Sequence, residues 1–245
     1  MRPTILPLTA LVLGCAGIGC TQPPAEAPAT DTFRSYDSAD GAHLQSTLMQ
    51  REAASERTLQ GVTQLADGSF LAEEARLDAQ GQLLHAEVKL GGGCDQLPTR
   101  ITLDAQAGTV DVSTPQLTTH WRVPNDLPWV WSPLLSTEHG PVATPLALTV
   151  ALRGAAAPSS PVHAVRVLDL LHYESDTLMS DQLVARDDVS THVVLGDDVA
   201  DMEEAGLPTR IHWAALERDL DAQALERSAG WAALRCAVAA RTQAL

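Results

Sequence analysis

The chain has 245 residues and carries 31 acidic against 16 basic side chains, a net charge of −15 at pH 7. A surface this acidic is repelled by nucleic-acid phosphates and gains no electrostatic attraction to anionic lipid. We therefore expect no nucleic-acid binding, and attachment to a membrane requires an apolar or covalent anchor.

The N-terminus is organised like a secretory signal. One positive charge at Arg2 precedes the apolar run Ile5–Leu13, which is shorter than the roughly 20 residues of a membrane-spanning helix, and small residues follow it. A glycine stands directly before both Cys15 and Cys20. These two junctions resemble the lipobox of bacterial lipoproteins, in which the cysteine is lipidated and becomes the mature N-terminus.

We favour Cys20 as the lipidated residue, with Cys15 as the alternative. The residues before Cys15 match the lipobox better, because the branched aliphatic Val12 lies three positions upstream. The Pro/Ala-rich stretch 20–30 favours Cys20, because such a composition is typical of a flexible tether. Lipidation of Cys20 also leaves an even number of cysteines in the domain. A secretory signal that is cleaved nearby without lipidation is a further alternative.

The chain then divides into three parts. We predict residues 1–19 as a lipoprotein signal peptide, residues 20–30 as the tether and residues 31–245 as a single domain. No Pro/Gly/Ser-rich linker long enough to divide the chain follows residue 30, and the remaining length suits one large domain.

Cys94 and Cys236 are the remaining pair. An exported chain meets an oxidising compartment, where a disulfide is permitted. Closing the 141 residues between them stabilises by roughly 4–5 kcal/mol in the chain-entropy model. We predict this disulfide, and two buried free thiols are the alternative.

Strand signals dominate the first half of the domain. The stretch Leu44–Arg57 suits either a strand or a helix, and we favour a strand because regular hairpins follow. Asp67-Gly68 lies between two apolar runs, and the phrase Leu-Asp-Ala-Gln begins at both Leu77 and Leu103 ahead of a glycine. The predicted strands are Thr58–Leu65, Phe70–Leu77, Leu83–Leu90, Arg100–Leu103, Thr109–Ser113 and Thr118–Val123.

The second half continues this pattern. Leu146–Leu152 alternates large apolar residues with small ones and is the clearest strand pattern in the chain. The acidic cluster at 197–204 is predicted as a solvated loop. Further predicted strands are Val162–Leu171, Leu183–Arg186, Thr191–Leu195 and Arg210–Ala214, of which the middle two form a hairpin and the fourth is the final strand.

The C-terminal tail has helical spacing. Asp219 or Asp221 can cap a helix that runs to about Thr242 and places Cys236 on its apolar face. The predicted fold class is α+β, a mainly antiparallel β-meander (a curved sheet or half-barrel) with a long C-terminal helix. Anchor, tether, meander and helix resemble in architecture the half-barrel envelope lipoproteins and lipoprotein carriers.

The sequence contains no catalytic signature. It has no Gly-x-Ser-x-Gly elbow, phosphate-binding glycine loop, His-Glu-x-x-His helix or Cys-x-x-Cys pair. The three glycines before Cys94 are better explained as a turn than as a nucleophile site. The eight histidines are dispersed, and the acidic clusters do not match a calcium loop. We therefore expect no catalytic residue, no metal and no cofactor.

Three tryptophans are concentrated in one region of a chain that has few aromatic residues. Trp121, Trp129 and Trp131 lie close in sequence among several prolines. Large amphipathic rings suit a ligand or partner surface. The alternative is an apolar plug that closes one end of the sheet.

The sequence therefore predicts a lipid-anchored cell-envelope protein that is non-catalytic and binds an apolar ligand or another envelope protein. Its membrane partner is reached through the N-terminal lipid, and we expect it at the outer membrane, facing the periplasm or the cell surface. A hydrolase or metal-dependent envelope enzyme with an unrecognised site is one alternative. A purely structural or assembly lipoprotein is the other.

Overall fold

A computed structural model of the chain describes residues 30–38, 45–53, 55–64, 70–93, 98–132, 144–154, 162–170, 179–186, 192–195, 198–202, 207–213 and 218–235. Within these ranges, strands dominate and two short helices accompany them. The strands of the first half are β1 (Thr30–Ser38), β2 (Gln45–Glu52), β3 (Glu56–Gln64), β4 (Phe70–Asp78), β5 (Leu83–Gly91), β6 (Thr99–Asp104), β7 (Thr109–Ser113) and β8 (Thr118–Arg122). They are followed by β9 (Trp129–Ser132), helix α1 (Pro145–Gly154), β10 (Val162–Asp169), β11 (Met179–Arg186), β12 (His192–Leu195), β13 (Asp198–Met202), β14 (Pro208–Trp213), β15 (Arg218–Ala224) and helix α2 (Arg227–Ala233).

All fifteen of these strands belong to one sheet. Its order is β8-β7-β6-β5-β4-β3-β2-β1-β15-β14-β13-β12-β11-β10-β9, so two meanders meet where β1 pairs with β15. Neighbouring strands are antiparallel, except that β9 runs parallel to β10. The prediction of a mainly antiparallel meander is confirmed. The ambiguous stretch Leu44–Arg57 contains β2 and the start of β3, so the choice of a strand is correct.

The repeated phrase forms an aspartate-stabilised turn twice. Asp78 accepts hydrogen bonds from two backbone N–H groups of its turn, and Gly81 adopts a φ of 84°. Asp104 accepts one backbone N–H in its turn, and Gly108 adopts a φ of 67°. Aspartate side chains stabilise such turns, and glycine reaches a positive φ without strain. Local turn chemistry therefore fixes both hairpins.

The strands of the first meander alternate between an inner and an outer face. Inner positions are mostly apolar and buried, and outer positions are mostly polar. The register places inner residues of neighbouring strands side by side, for example Ala75, Ala86, Leu103 and Val110. This alternation is typical of a sheet that covers a core on one face only.

Helix α1 corrects the prediction that Leu146–Leu152 is a strand. Six consecutive side chains, from Leu146 to Ala151, are buried, so the small residues are enclosed as fully as the large ones. A helix that is apolar all round is stable only when it is surrounded by protein. The alternating pattern is misleading because the small residues at positions 147, 149 and 151 face protein, whereas in a half-buried strand they would face water.

The sheet curves around α1. This helix contacts β2 and β3 of the first meander and β9, β12 and β14 beyond it. On β3, Gly61 lies so close to α1 that an added Cβ would be 3.0 Å from a methyl group of Leu146. Strands that are far apart in the sheet order can meet one helix only if the sheet is strongly curved, and the inner face is therefore the concave one.

The C-terminal region differs from the prediction of a long helix that starts at Asp219 or Asp221. Both residues lie in β15, where they occupy outer positions, while Leu220 between them is buried. Asp219 accepts hydrogen bonds from Arg210 and His212 of β14. This cross-strand pairing outweighs the helical spacing, and the described helix is limited to α2. Residues 236–245 lie outside the described ranges.

Two smaller predictions are also corrected. The acidic cluster predicted as a loop contains strand β13, which pairs with β12 and β14. The strand predicted as the last one corresponds to β14 and is followed by β15. The hairpin predicted across Asp187-Asp188 is confirmed by the antiparallel pairing of β11 with β12.

Helix α2 covers the outer face of the central strands. Its Trp231 packs edge-on against Phe33 of β1, with ring centroids 5.4 Å apart, and the guanidinium of Arg51 lies 5.6 Å from the Trp231 ring. Asp31, whose side chain is only 2% exposed, accepts hydrogen bonds from Arg51 and Arg227. Trp231 also packs against a second, smaller apolar cluster, made up of Phe33, Met49, Val62, Ala72 and Leu234.

Candidate functional site: a buried carboxyl against helix α1

Among the described residues of the first meander, Glu73 is the one acidic side chain that is buried on the inner face. It lies on β4 between Gly61 of β3 and Val88 of β5, and the residue is 1% exposed. The alternation of β4 explains this placement, because Leu71 and Ala75 face inward on either side of it. An ionisable group inside an apolar core is costly unless it is paired or neutral.

One oxygen of Glu73 joins three segments of the chain. The indole Nε1–H of Trp131 on β9 donates to Glu73 Oε1 at 2.8 Å. The hydroxyl of Thr144 donates to the same oxygen, also at 2.8 Å. The other oxygen, Oε2, is buried and has no hydrogen-bond partner among the described residues. One oxygen of the carboxyl therefore accepts two hydrogen bonds, and the other accepts none from the described residues.

Thr144 also begins helix α1. Its Oγ1 accepts the backbone N–H of Ala147 at 3.1 Å, and Pro145 occupies the first helical position. Threonine as the N-cap and proline in the first turn are both favoured helix starts. Thr144 thus caps the helix and holds it to β4 with one hydroxyl group.

Burial raises the pKa of Glu73 to about 7, while the hydrogen bonds from Trp131 and Thr144 act in the opposite direction. Desolvation is the larger effect because it penalises the charged form, whereas two neutral donors compensate only part of that penalty. A carboxyl that titrates near neutral pH can serve as a general acid or base, or as a pH-sensitive structural group. Enclosure by protein favours the structural role.

The three predicted tryptophans do not form one exposed surface. Trp129 and Trp131 are 2% and 0% exposed and belong to the core, where Trp129 donates its indole N–H to the carbonyl of Pro124. Trp121 lies at the opposite edge of the sheet, on β8, and packs against the same core. This placement agrees with the alternative of an apolar plug for Trp129 and Trp131.

The predicted cysteine sites fall outside the described residues. Cys15 and Cys20 precede residue 30, Cys94 lies in the undescribed segment 94–97, and Cys236 follows residue 235. The lipidation site and the disulfide therefore stay predictions.

Sequence reasoning missed Glu73, although a signal was present. In the predicted strand Phe70–Leu77, the inward set is Leu71, Glu73, Ala75 and Leu77, which is three apolar residues and one acid. An acid at an otherwise apolar position of an alternating strand indicates a buried carboxyl. Thr144-Pro145 is likewise a helix-start signal, which precedes the stretch predicted as a strand.

Neither a metal centre nor a membrane helix is found in the part of the chain that the structure describes. No three His, Cys, Asp or Glu side chains in these ranges are grouped so that they could hold a metal ion. Neither described helix has the length and apolar character needed to cross a bilayer.

Comparisons with known proteins give little beyond the fold. No protein-family model matches the sequence, and no curated protein matches it. Among solved structures, the chain is similar to the crystal structure of a beta-barrel-like protein of a domain of unknown function, DUF1849, from Brucella abortus. The two share 10% sequence identity with a TM-score of 0.40, and the match covers 81% of this chain and 95% of that chain. The fold described above rests on the strand pairing and not on this likeness.

Proposed function

We propose that the protein is a non-catalytic, lipid-anchored component of the cell envelope that binds an apolar ligand on the inner face of its curved sheet. The anchor is the predicted lipid on Cys20, and the tether 20–30 holds the domain at the membrane surface. The observation that carries the proposal is the filling of the inner face: a single apolar helix, α1, covers it.

The inner face has the surface chemistry of an apolar binding site. The first meander contributes a continuous apolar surface, and α1 lies on it through side-chain packing. Ligand sites are typically concave and mostly apolar, with a small number of polar groups that fix orientation. Here the polar group is Glu73, which already accepts a hydrogen bond from the start of α1. A ligand that takes the place of α1 meets the same apolar surface and the same acceptor.

The shape of α1 indicates the size of such a ligand. Its 10 residues have a length of about 15 Å at 1.5 Å per residue. A long alkyl or acyl chain that carries a hydrogen-bond donor at one end has comparable dimensions and chemistry. We therefore propose an acylated or fatty molecule as the ligand, with its donor group at Glu73.

Native mass spectrometry of the mature protein, purified from membranes in mild detergent, tests the proposal. We expect a stoichiometric adduct with the mass of a lipid, and competition between a long-chain fatty acid and the apolar fluorescent probe N-phenyl-1-naphthylamine after delipidation. Leu117→Ser is the control variant, because Leu117 is exposed (45%) and lies outside the described strands, just before the edge strand β8. A clean mass with no probe binding would contradict the proposal.

A second candidate is a partner protein that pairs with the edge of the sheet. Among the described strands, β8 has a neighbour on one side only, and exposed Leu117 lies next to it. Unpaired edges accept an added strand from another chain. The alternation of the β7–β8 ladder directs the N–H of Thr118 to the free edge. Thr118→Pro is therefore expected to abolish co-purification of an envelope protein, whereas Leu117→Ser only weakens it.

A further inference from the structure

The start of α1 and strand β9 are both held by the same carboxyl oxygen. Glu73 is separated from Trp131 by 58 residues and from Thr144 by 71 residues along the chain. Glu73, a side chain that can change its charge, thus links the inner cover of the sheet, defined here as α1 with β9, to the first meander by two hydrogen bonds.

We propose that Glu73 is a proton-controlled latch, which holds the inner cover when protonated and releases α1 from the inner face when it loses its proton. The latch regulates the ligand surface described above, so its biological role rests on the proposed function. The release of α1 itself does not depend on any ligand.

The two protonation states of Glu73 differ in the charge that the site encloses. In the neutral acid, Oε1 is the carbonyl oxygen that accepts from Trp131 and Thr144, and the proton is assigned to Oε2, which has no partner among the described residues in either state. In the carboxylate, negative charge is shared by both oxygens, and Oε2 is buried without a donor among the described residues. A buried charge with an unsatisfied oxygen favours any rearrangement that brings it to water.

Among the described side chains of the packed elements, no cation compensates this charge. The inward neighbours of Glu73 across the sheet are Gly61 on β3 and Val88 on β5, and neither is ionisable. On β4 itself, the adjacent inward residues are apolar. The described side chains of α1, from Pro145 to Ala151, and those of β9 contain no charged group.

The nearest inward-facing charges lie on other strands. Arg34 of β1 occupies the same row as Glu73, three strands away, which corresponds to about 14 Å at the usual strand spacing. Arg166 of β10 donates to the carboxylate of Asp126 and to a backbone carbonyl. At the start of β3, Arg57 is paired with Glu52 of β2. None of these cations contacts Glu73 directly.

Release is expected at α1 because the strands are held by other forces. On either side of Glu73, β4 is paired with β3 over nine residue pairs and with β5 over eight, with one irregularity at Arg76/Leu77 in the second ladder. A helix satisfies its backbone internally and is held to a sheet by packing and by side-chain bonds alone. Loss of the Thr144–Glu73 bond therefore acts on α1 before it acts on the sheet.

Hydrogen–deuterium exchange of the mature protein between pH 6 and 8.5 tests the latch, after correction for the intrinsic pH dependence of exchange. For a carboxyl with a pKa of about 7 inside and an ordinary value of 4.5 when exposed, the population of the open form rises about tenfold over this range. We expect that increase in the amides of α1, with the amides of β3 to β5 unchanged.

Glu73→Gln keeps an acceptor for Trp131 and Thr144 but cannot ionise, so its α1 amides should exchange at a pH-independent corrected rate. Glu74→Gln, the adjacent acid on the outer face, is the matched control and should retain the tenfold change. The latch is refuted if wild type shows no change, if Glu73→Gln changes like wild type, or if α1 and the sheet open together.

A parallel titration with N-phenyl-1-naphthylamine separates the latch from the proposed function. Probe binding that increases with pH in wild type, and not in Glu73→Gln, supports both. Release of α1 with no probe bound at any pH upholds the latch and contradicts the ligand site. Probe bound equally at every pH, without release of α1, upholds the ligand site and contradicts the latch.

Discussion

The two helices of this protein lie on opposite faces of the same sheet and are held in different ways. The described side chains of helix α1 on the inner face are buried, and Thr144 at its start is hydrogen-bonded to a buried acid without a counter-ion among the described residues. Helix α2 on the outer face is short, and its charged neighbours are paired: Asp31 accepts from Arg51 and Arg227.

This difference separates two sources of stability. The outer attachment combines close packing with compensated charge, so it depends weakly on pH above the acid range. The inner attachment combines extensive burial with an uncompensated group, so its strength depends on protonation near neutral pH. Attachment of α2 to the sheet is therefore expected to be independent of pH near neutrality, whereas attachment of α1 depends on it.

The largest expected effect is loss of packing under α1. Leu148→Ala removes a fully buried side chain, which costs roughly 2–5 kcal/mol in other protein cores. Urea denaturation at pH 6, where Glu73 is mostly protonated, measures the loss. Ala232→Ser on the exposed side of α2 is the control and should change stability little.

Replacing the buried acid should change stability in a pH-dependent way. The folded pKa of Glu73 lies above its ordinary value of 4.5, at about 7, so the wild type loses stability as the pH rises from about 4.5 to 7. The loss reaches about 3 kcal/mol above pH 7. Glu73→Gln should match the wild type near pH 4.5 and be more stable by up to that amount at pH 8, measured by denaturation at several pH values. An unchanged pH slope in this variant would show that Glu73 is not the group responsible.

The packing of helix α2 should be sensitive to one added methyl group. Gly230 of α2 lies against the Phe33 ring so closely that a Cβ at this position would overlap it. Gly230→Ala should therefore cost about 1–3 kcal/mol and move α2 away from β1. Gly92→Ala is the control, since a Cβ there meets no atom within 4 Å. Equal stability of the two variants would contradict close packing under α2.

The smallest effect is expected at the ion pair beside α2. The pKa of Asp31 is held below its ordinary value, chiefly by the hydrogen bond from Arg51. Its stabilisation is therefore present above pH 3.8 and is lost as the pH falls through the lowered value. Asp31→Asn should cost about 1–2 kcal/mol at pH 6 and flatten the acid limb of the stability profile, whereas Asp111→Asn on the same face should leave it steep.

The sheet could be predicted from the sequence because its signals are local. The aspartate turns at Asp78 and Asp104 and the alternation along β5 depend on residues that are close in sequence. The identity of α1 could not be predicted in the same way. Whether alanine and threonine at positions 147, 149 and 151 face water or a core is decided by strands far away in the chain.

The same reason explains the errors at Asp219 and Glu73. A helix start at Asp219 was reasonable from its neighbours, but the cross-strand partners Arg210 and His212 favour a strand. Glu73 could be placed inward from the alternation of β4, yet its partners Trp131 and Thr144 are set by the curvature of the whole sheet. Local patterns predicted which residues face inward, and tertiary structure determined what they meet there.

The pairing of β1 with β15 has a consequence for biosynthesis. Arg34 is paired with Ala224, so the central strand of the sheet is among the first parts of the domain to be synthesised and its second neighbour is among the last. As the chain is synthesised, the first meander can form its hairpins in order, while one edge of β1 stays open until residues 218–224 are available. Completion of the sheet is therefore a late step in folding, and β1 depends on the first meander alone until that step.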